Sequence, residues 1–438
     1  MTCVEIFTQL EKLSSFRKNE RVYRFVKFVK SVSESKISEC LTEFLYFIDK
    51  LSSERYLAYS KFIETIKGMT VIEDKFDDLL NLLNKWHSYS VYGTNGIRIW
   101  DSYIFVNGIR IFINSEPFSA FSHLFKAIKG RKELITSKLS FIESSFISFL
   151  NTIPLGKNGR YPITEGDKRI LSFSILIEAV KNTQLFSKLF SLINEKMILV
   201  ISILKRGAAR DKYNDIDALV LRYNEFSSLV QAVKGTELIN TFYEQIETRF
   251  NYLLNGLSEI YRKNKWVLEE TIFPDMIEAI KGTDLIKNNF TDILESIDLF
   301  IQDDKLKSEA FSTLINAIKG TNVIKEVYPD IIRALEKLPG ECFCELLGAL
   351  AGTTLMEEKF TELLIFYHSM LYNEIRRSSL KKVFFELVNA VWGTKTINTY
   401  FSLLKAEYNQ LKKLEGVRPS EQFNELEKLF LKENWSSH

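Results

Sequence analysis

FSTLINAIKGTNVIKEVYPDII, residues 311–332, holds the pattern that decides the fold. Phe311 stands nine residues before Gly320, and Leu314, Ile315 and Ile318 stand six, five and two before it, so the apolar offsets trace one face of a helix. Gly320 can take the left-handed backbone that ends such a helix, and Thr321 is placed to accept from the opening amides of a second one. An apolar pair at Val323 and Ile324, the aromatic Tyr328 and the aliphatic Ile331 give that second helix its own buried face. The stretch predicts a helical hairpin.

The same pattern occurs eight times in the 438-residue chain. Glycine is the pivot in seven copies, at Gly68, Gly130, Gly235, Gly282, Gly320, Gly352 and Gly393. Asn182 takes the eighth, and asparagine is the other residue that tolerates a left-handed backbone. Nine residues before the pivots stand Tyr59, Phe121, Phe173, Phe226, Phe273, Phe311, Phe343 and Phe384. Three before them is alanine in seven copies and Thr65 in the first, a small side chain where a neighbouring helix could come close. Only the Gly130 copy slips, with its later apolar residues one place late. Because the aromatic offset recurs in every copy, it reads as helix packing rather than as a cofactor pocket.

These features predict a mainly all-α chain, an α-solenoid of about eight to nine antiparallel helical hairpins with a small inserted β-hairpin or meander. Residues 1–55 read as an N-terminal helical cap and 56–86 as the first clean hairpin. Residues 87–116 carry the insertion: Val91 to Asn114 alternates with period two and contains Asn-Gly at 95–96 and 107–108, the latter suited to a tight turn between Tyr103–Val106 and Ile109–Ile113. Such an arm could add strands to a partner or to a second copy of the chain, or pack as a flap on its own helices. Residues 117–415 form the repeat array, interrupted by loops near 151–168 and 205–217, and 416–438 hold a C-terminal capping helix. Pro274 suits the first turn of a helix, and Pro329 the start of one or a kink.

Stacked helical hairpins with small residues at close contacts and atypical ends resemble the HEAT and armadillo-like repeats. The resemblance is architectural and extends over most of the chain. It implies an elongated body that offers a continuous surface to a large ligand.

Composition narrows the function classes. Net charge is +2, which alone calls for no polyanion partner, but Ala120 to Gly235 holds 18 Lys and Arg against 10 Asp and Glu. The four cysteines, Cys3, Cys40, Cys342 and Cys344, form no CxxC motif, so neither a zinc site nor a disulfide framework is expected, and a reducing cytoplasm fits. No apolar run approaches the roughly 20 residues of a membrane span, and the first residues, MTCVEIFTQLEK, give no expectation of a signal peptide. His87, His123, His368 and His438 are scattered, and no nucleophile elbow, dinucleotide fingerprint or phosphate loop occurs. The GKNGR cluster at 156–160 lacks phosphate-loop spacing, and the pairs Asp77–Asp78 and Asp303–Asp304 read as solvated helix surface or helix starts. No catalytic residue, metal or cofactor is expected.

One residue type invites a functional reading. Lys67, Lys129, Lys181, Lys234, Lys281 and Lys319 each precede their pivot, and only Ala351 and Trp392 break the series. Stacked, they could form an anion-binding ridge beside the second helices' N-termini, or each could simply complement the dipole of its own helix end. The expectation is therefore a non-enzymatic scaffold that binds a macromolecule, most readily a protein, along its concave face. Nucleic-acid or other polyanion binding through the lysines and the basic 120–235 region is the alternative, and a HEAT-like enzyme acting on nucleic acid is a third.

Overall fold

The computed structural model describes residues 20–51, 54–91, 99–100, 103–104, 116–153, 168–210, 216–263, 269–301, 303–371 and 380–414, and these are almost entirely helical. The chain divides into two compact units, Met1–Phe250 and Asn251–His438.

Within each unit the helices that precede the pivots pack side by side in chain order. In the first unit the row runs Glu20–Ser31, Arg55–Ile66, Glu116–Ile128, Lys168–Val180 and Ile216–Val233. In the second it runs Glu269–Ile280, Asp304–Ile318, Gly340–Leu350 and Leu380–Val391. Alanines three before the pivot make this close approach possible: Ala179, Ala232, Ala279, Ala317, Ala349 and Ala390 are all buried. The aromatics nine before the pivot are buried in all eight copies, none more than 5% exposed. Each such side chain contributes about 1.5–3 kcal/mol of burial. Tyr59, the single tyrosine in that series, has a hydroxyl to satisfy, and it donates to the Leu79 carbonyl at 3.0 Å.

Seven pivots have positive φ: Gly68 at 93°, Asn182 at 61°, and Gly235, Gly282, Gly320, Gly352 and Gly393 between 72° and 78°. Gly130 is not among them. The copy whose apolar register slips by one is thus the copy without a left-handed pivot. The extra residue lets Arg131, at φ −99° and ψ 75°, turn the chain instead.

Threonine after the pivot does more for the helix that ends than for the one that begins. In six copies its hydroxyl donates to the carbonyl three residues back, at 2.5–2.7 Å, from Thr183, Thr236, Thr283, Thr321, Thr353 and Thr394. Only Thr236 and Thr353 are also seen to accept from an opening amide, those of Leu238 at 3.3 Å and Met356 at 3.2 Å.

The second half of each hairpin departs from expectation. In six repeats it is split into a short helix and a longer one: Val71–Asp74 then Phe76–Val91, Lys132–Ser137 then Leu139–Thr152, Gln184–Lys188 then Phe190–Arg210, Glu237–Thr241 then Tyr243–Lys263, Asp284–Asn288 then Phe290–Phe300, and Val323–Glu326 then Tyr328–Leu335. A single residue makes each bend, at Lys75, Lys138, Leu189, Phe242, Asn289 and Val327, with φ between −119° and −93° and ψ between 3° and 20°. The bend lets the apolar pair after the pivot and the later aromatic-aliphatic pair both reach the core. In the last two repeats the second helix is unbroken, at Thr354–Leu371 and Lys395–Leu414.

The N-terminal segment follows the same plan. Glu20–Ser31, Glu34–Glu39 and Leu41–Lys50 form a row helix, a short helix and a second helix, with Cys40 at φ −100° and ψ 13° as the bend. Taking Ser31 as its pivot, Val22, Phe25, Val26 and Val29 occupy the offsets nine, six, five and two, and all but Val26 are buried. The cap is therefore built as a ninth repeat.

Three expectations need correction. The hairpin expected across Asn107–Gly108 is not seen: the strand pairing among the described residues joins Ile99–Trp100 to Tyr103–Ile104, with Ile99 opposite Ile104 and Trp100 opposite Tyr103. Uniform alternation leaves the register of such a stretch weakly specified, so an earlier pairing can take Tyr103. Residues 105–115 lie outside the described residues, as do 154–167, with the GKNGR cluster, and the C-terminal segment 415–438. The polar interruption expected from Lys205 is helical through Arg210, since Lys205, Arg206, Ala208 and Ala209 are all good helix formers. Pro274 stands inside Glu269–Ile280 rather than in its first turn, whereas Pro329 opens Tyr328–Leu335.

Candidate functional site

A row helix flanked by row neighbours and backed by its second helix keeps one narrow strip for solvent. That strip consists of the residues seven, four and one before the pivot, each exposed or half-buried in every repeat, while those six, five and two before it are buried at every position but Val26. In the first unit the strip reads Arg24, Lys27 and Lys30; Lys61, Glu64 and Lys67; His123, Lys126 and Lys129; Ile175, Glu178 and Lys181; Ser228, Gln231 and Lys234. In the second it reads Asp275, Glu278 and Lys281; Thr313, Asn316 and Lys319; Glu345, Gly348 and Ala351; Glu386, Asn389 and Trp392.

Side-chain contacts show that successive strips lie against each other. His123 Nδ1 is 3.3 Å from the Glu64 carboxylate in the preceding repeat. Lys129 Nζ donates to the carbonyl of Lys181 at 2.8 Å, and Lys181 Nζ donates to the carbonyl of Gln231 at 2.9 Å. In the second unit Ser312, beside the strip, reaches the strip's Glu345 carboxylate in the next repeat at 3.2 Å.

The expected lysine ridge therefore divides. Lys129 and Lys181 reach across to carbonyls at the end of the next row helix, so each complements the dipole of its neighbour rather than its own. Lys181 is also paired with Glu178, and Lys281 with Glu278 at 3.4 Å. Lys234 is half-buried, and Lys67 and Lys319 are exposed. Burial holds the Lys129 ammonium below its usual range, with Lys181 and Lys126 adding to that and Glu178 opposing it. His123 is also lowered, chiefly by burial; Glu64 opposes the shift while Lys126, Lys61 and Lys67 reinforce it. Lysines of two repeats thus act electrostatically on one imidazole.

A second set of cross-repeat contacts runs along the short helices. Lys287 pairs with Glu326, and Lys325 with Glu358 at 3.2 Å, each lysine five past its pivot and each glutamate six past the next. Arg131 pairs with Glu73 and donates to the Met69 carbonyl at 3.0 Å, Lys138 meets Asp77 at 2.6 Å, and Lys188 meets Glu143. Arg131 and Met69 hold the two turns that lack threonine, so contacts between repeats serve there in place of the hydroxyl. These exposed pairs fix alignment more than stability.

Several other titratable groups have local structural roles. Asp303 accepts from the amides of Lys305 at 2.9 Å and Leu306 at 3.1 Å, as a helix start should. His87 stacks on Phe149 with centroids 4.1 Å apart, and His368 lies 3.6 Å from Glu407. Cys40, Cys342 and Cys344 are buried free thiols, and burial pushes Cys342 and Cys344 up to about 12. Among the described residues no group of three or more His, Cys, Asp or Glu is placed to hold a metal ion, and no helix is long and apolar enough to cross a membrane. Cys3 and His438 fall outside the described residues.

Sequence reasoning found the row's pivots but missed the strip's first member. Arg24, Lys27 and Lys30 were hidden by a pivot that is Ser31 rather than glycine, although the buried offsets before it match the other copies. Compared with protein-family models, with curated proteins and with solved structures, the chain shows no match.

Proposed function

We propose that the protein is a helical-repeat scaffold of α-solenoid type whose row strip is the surface that engages another protein. The observation carrying this reading is the strip itself: every repeat leaves the same three positions open, and contacts such as His123–Glu64 and Lys129–Lys181 bring them into one continuous surface within a unit. Repetition buries the residues six, five and two before almost every pivot, so variation along the chain is concentrated where a partner could read it. Two of the turn lysines, Lys129 and Lys181, are taken up as links between repeats, which weakens the reading in which the series forms a ridge for a phosphate backbone.

Photo-crosslinking tests the assignment. A benzophenone side chain placed at Gln231 or Asn316, both exposed in the strip, is expected to trap a discrete protein from the native cell extract. The same group at Ser191 or Asp292, exposed on second helices, is expected to trap none. Equal trapping at all four sites, or nucleic-acid adducts at the strip, would overturn the proposal.

A further inference from the structure

The two strips differ sharply in charge. In the first unit nine of the fifteen strip positions are Lys or Arg and two, Glu64 and Glu178, are acidic. In the second unit Lys281 and Lys319 face four acidic residues, Asp275, Glu278, Glu345 and Glu386. The cationic excess is therefore a property of one surface, not of the chain, whose net charge is +2.

We propose that the strip of the first unit, from Arg24 to Lys234, binds an extended acidic polypeptide segment, with about one carboxylate of the ligand seated on each repeat. The inference rests on the scaffold reading above and names its partner. Two features favour a peptide over a nucleic acid. The first is spacing: packed helices lie about 8–10 Å apart, and a polyproline II chain presents the same face every three residues, about 9.3 Å. Carboxylates at every third residue would keep step with the row. The second is the centre line, where Glu64, Glu178 and Gln231 offer acceptors. A peptide backbone brings N–H donors to such groups, while a phosphodiester backbone would bring more negative charge. Width agrees as well, since six residues of helix span about 9 Å, enough for one extended chain.

The test uses the full-length protein and labelled peptides of about 15 residues, followed by fluorescence anisotropy at about 0.1 M salt, where charges beyond roughly 10 Å are screened. A peptide with glutamate at every third position in a proline- and alanine-rich context is expected to bind roughly tenfold more tightly than its isomer with the glutamates in one block. Lys67→Glu with Lys126→Glu, both exposed and on the strip, should weaken binding by roughly tenfold, while Lys67→Arg with Lys126→Arg retains it. Lys132→Glu with Lys196→Glu, the same charge change off the row, should leave it unchanged. Circular dichroism and thermal melting of each variant establish that the fold is kept. Equal binding of the two isomers, no peptide binding, tighter binding of oligouridylate or duplex DNA, or indifference to the Lys67 and Lys126 reversals would each overturn the proposal. Should the peptides fail while the strip crosslinks still trap a protein, the scaffold reading stands and the acidic partner does not.

Discussion

The ammonium of Lys129 ends 2.8 Å from the main-chain carbonyl of Lys181, the lysine one repeat further on. Lys181 repeats the gesture toward Gln231 at 2.9 Å. A local rule of helix capping has become a contact between repeats, and it can be tested as one. Lys129→Met keeps the aliphatic stem and removes the donor. It should cost about 1 kcal/mol at this half-exposed site, whereas Lys67→Met should cost close to nothing. Denaturant midpoints of the two variants check this; equal midpoints would show that the cross-repeat bond contributes no stability.

Backbone conformation separates glycines that look alike in the sequence. Gly320 has φ 72° and Gly130 has no positive φ, and an added Cβ would meet nothing within 4 Å at either. Only conformation then decides the outcome of substitution. Gly320→Ala should destabilise by about 1–2 kcal/mol, and Gly320→Asn by less, because Asn182 already holds φ 61°. Gly130→Ala should be neutral or stabilising by about 0.4–1 kcal/mol, since it narrows the unfolded ensemble without strain. Thermal unfolding of the three variants supplies the comparison, and a Gly130→Ala loss as large as that of Gly320→Ala would refute the distinction.

What was legible in the sequence, and what was not, follows from how local each rule is. The pivots, the buried aromatics before them and the alanines between row helices are fixed by short offsets, so they stood out. The bends at Lys75, Leu189, Asn289 and their equivalents did not, because one residue near φ −100° and ψ 10° accepts almost any side chain. The N-terminal repeat was hidden because Ser31 stands where the others carry glycine or asparagine. The strip needed the structure: residues of different repeats became neighbours only once the row was assembled, and a lysine assigned to its own helix end turned out to serve the next.

His87 gives the fold a pH dependence of definite sign. It is 4% exposed, stacked on Phe149, and burial lowers its pKa to about 4, with a backbone contact at Ser148 opposing the shift. The unfolded chain binds its proton near pH 6.5, the folded chain only near 4. Between these values the unfolded state holds more protons, so stability is full above about pH 6.5 and falls as pH drops toward 4, by a total on the order of 3 kcal/mol. His87→Phe keeps the ring stack and removes the proton. Its stability should vary less between pH 7 and pH 4 than that of the parent, as read from urea unfolding at several pH values; parallel profiles would remove His87 as the cause.

Row packing makes a demand that the strip does not. Ala317 is 5% exposed, three residues before its pivot, on a helix held between Glu269–Ile280 and Gly340–Leu350. A leucine there would have to enter the space through which neighbouring backbones approach, and overpacking of this kind costs about 1–3 kcal/mol or more. Ala127, at the same offset in the slipped repeat, is half-buried, so Ala127→Leu has solvent into which to turn and should cost less than Ala317→Leu. Asn316→Leu, one residue away on the exposed strip, should be tolerated. The two alanine substitutions make the same change at one helix offset, so their difference isolates the row contact from helix propensity, and Asn316→Leu shows what a leucine does on the neighbouring strip position. A ranking in which Asn316→Leu destabilises as much as Ala317→Leu would mean that the strip is itself packed, and the surface assigned to a partner would be part of the core.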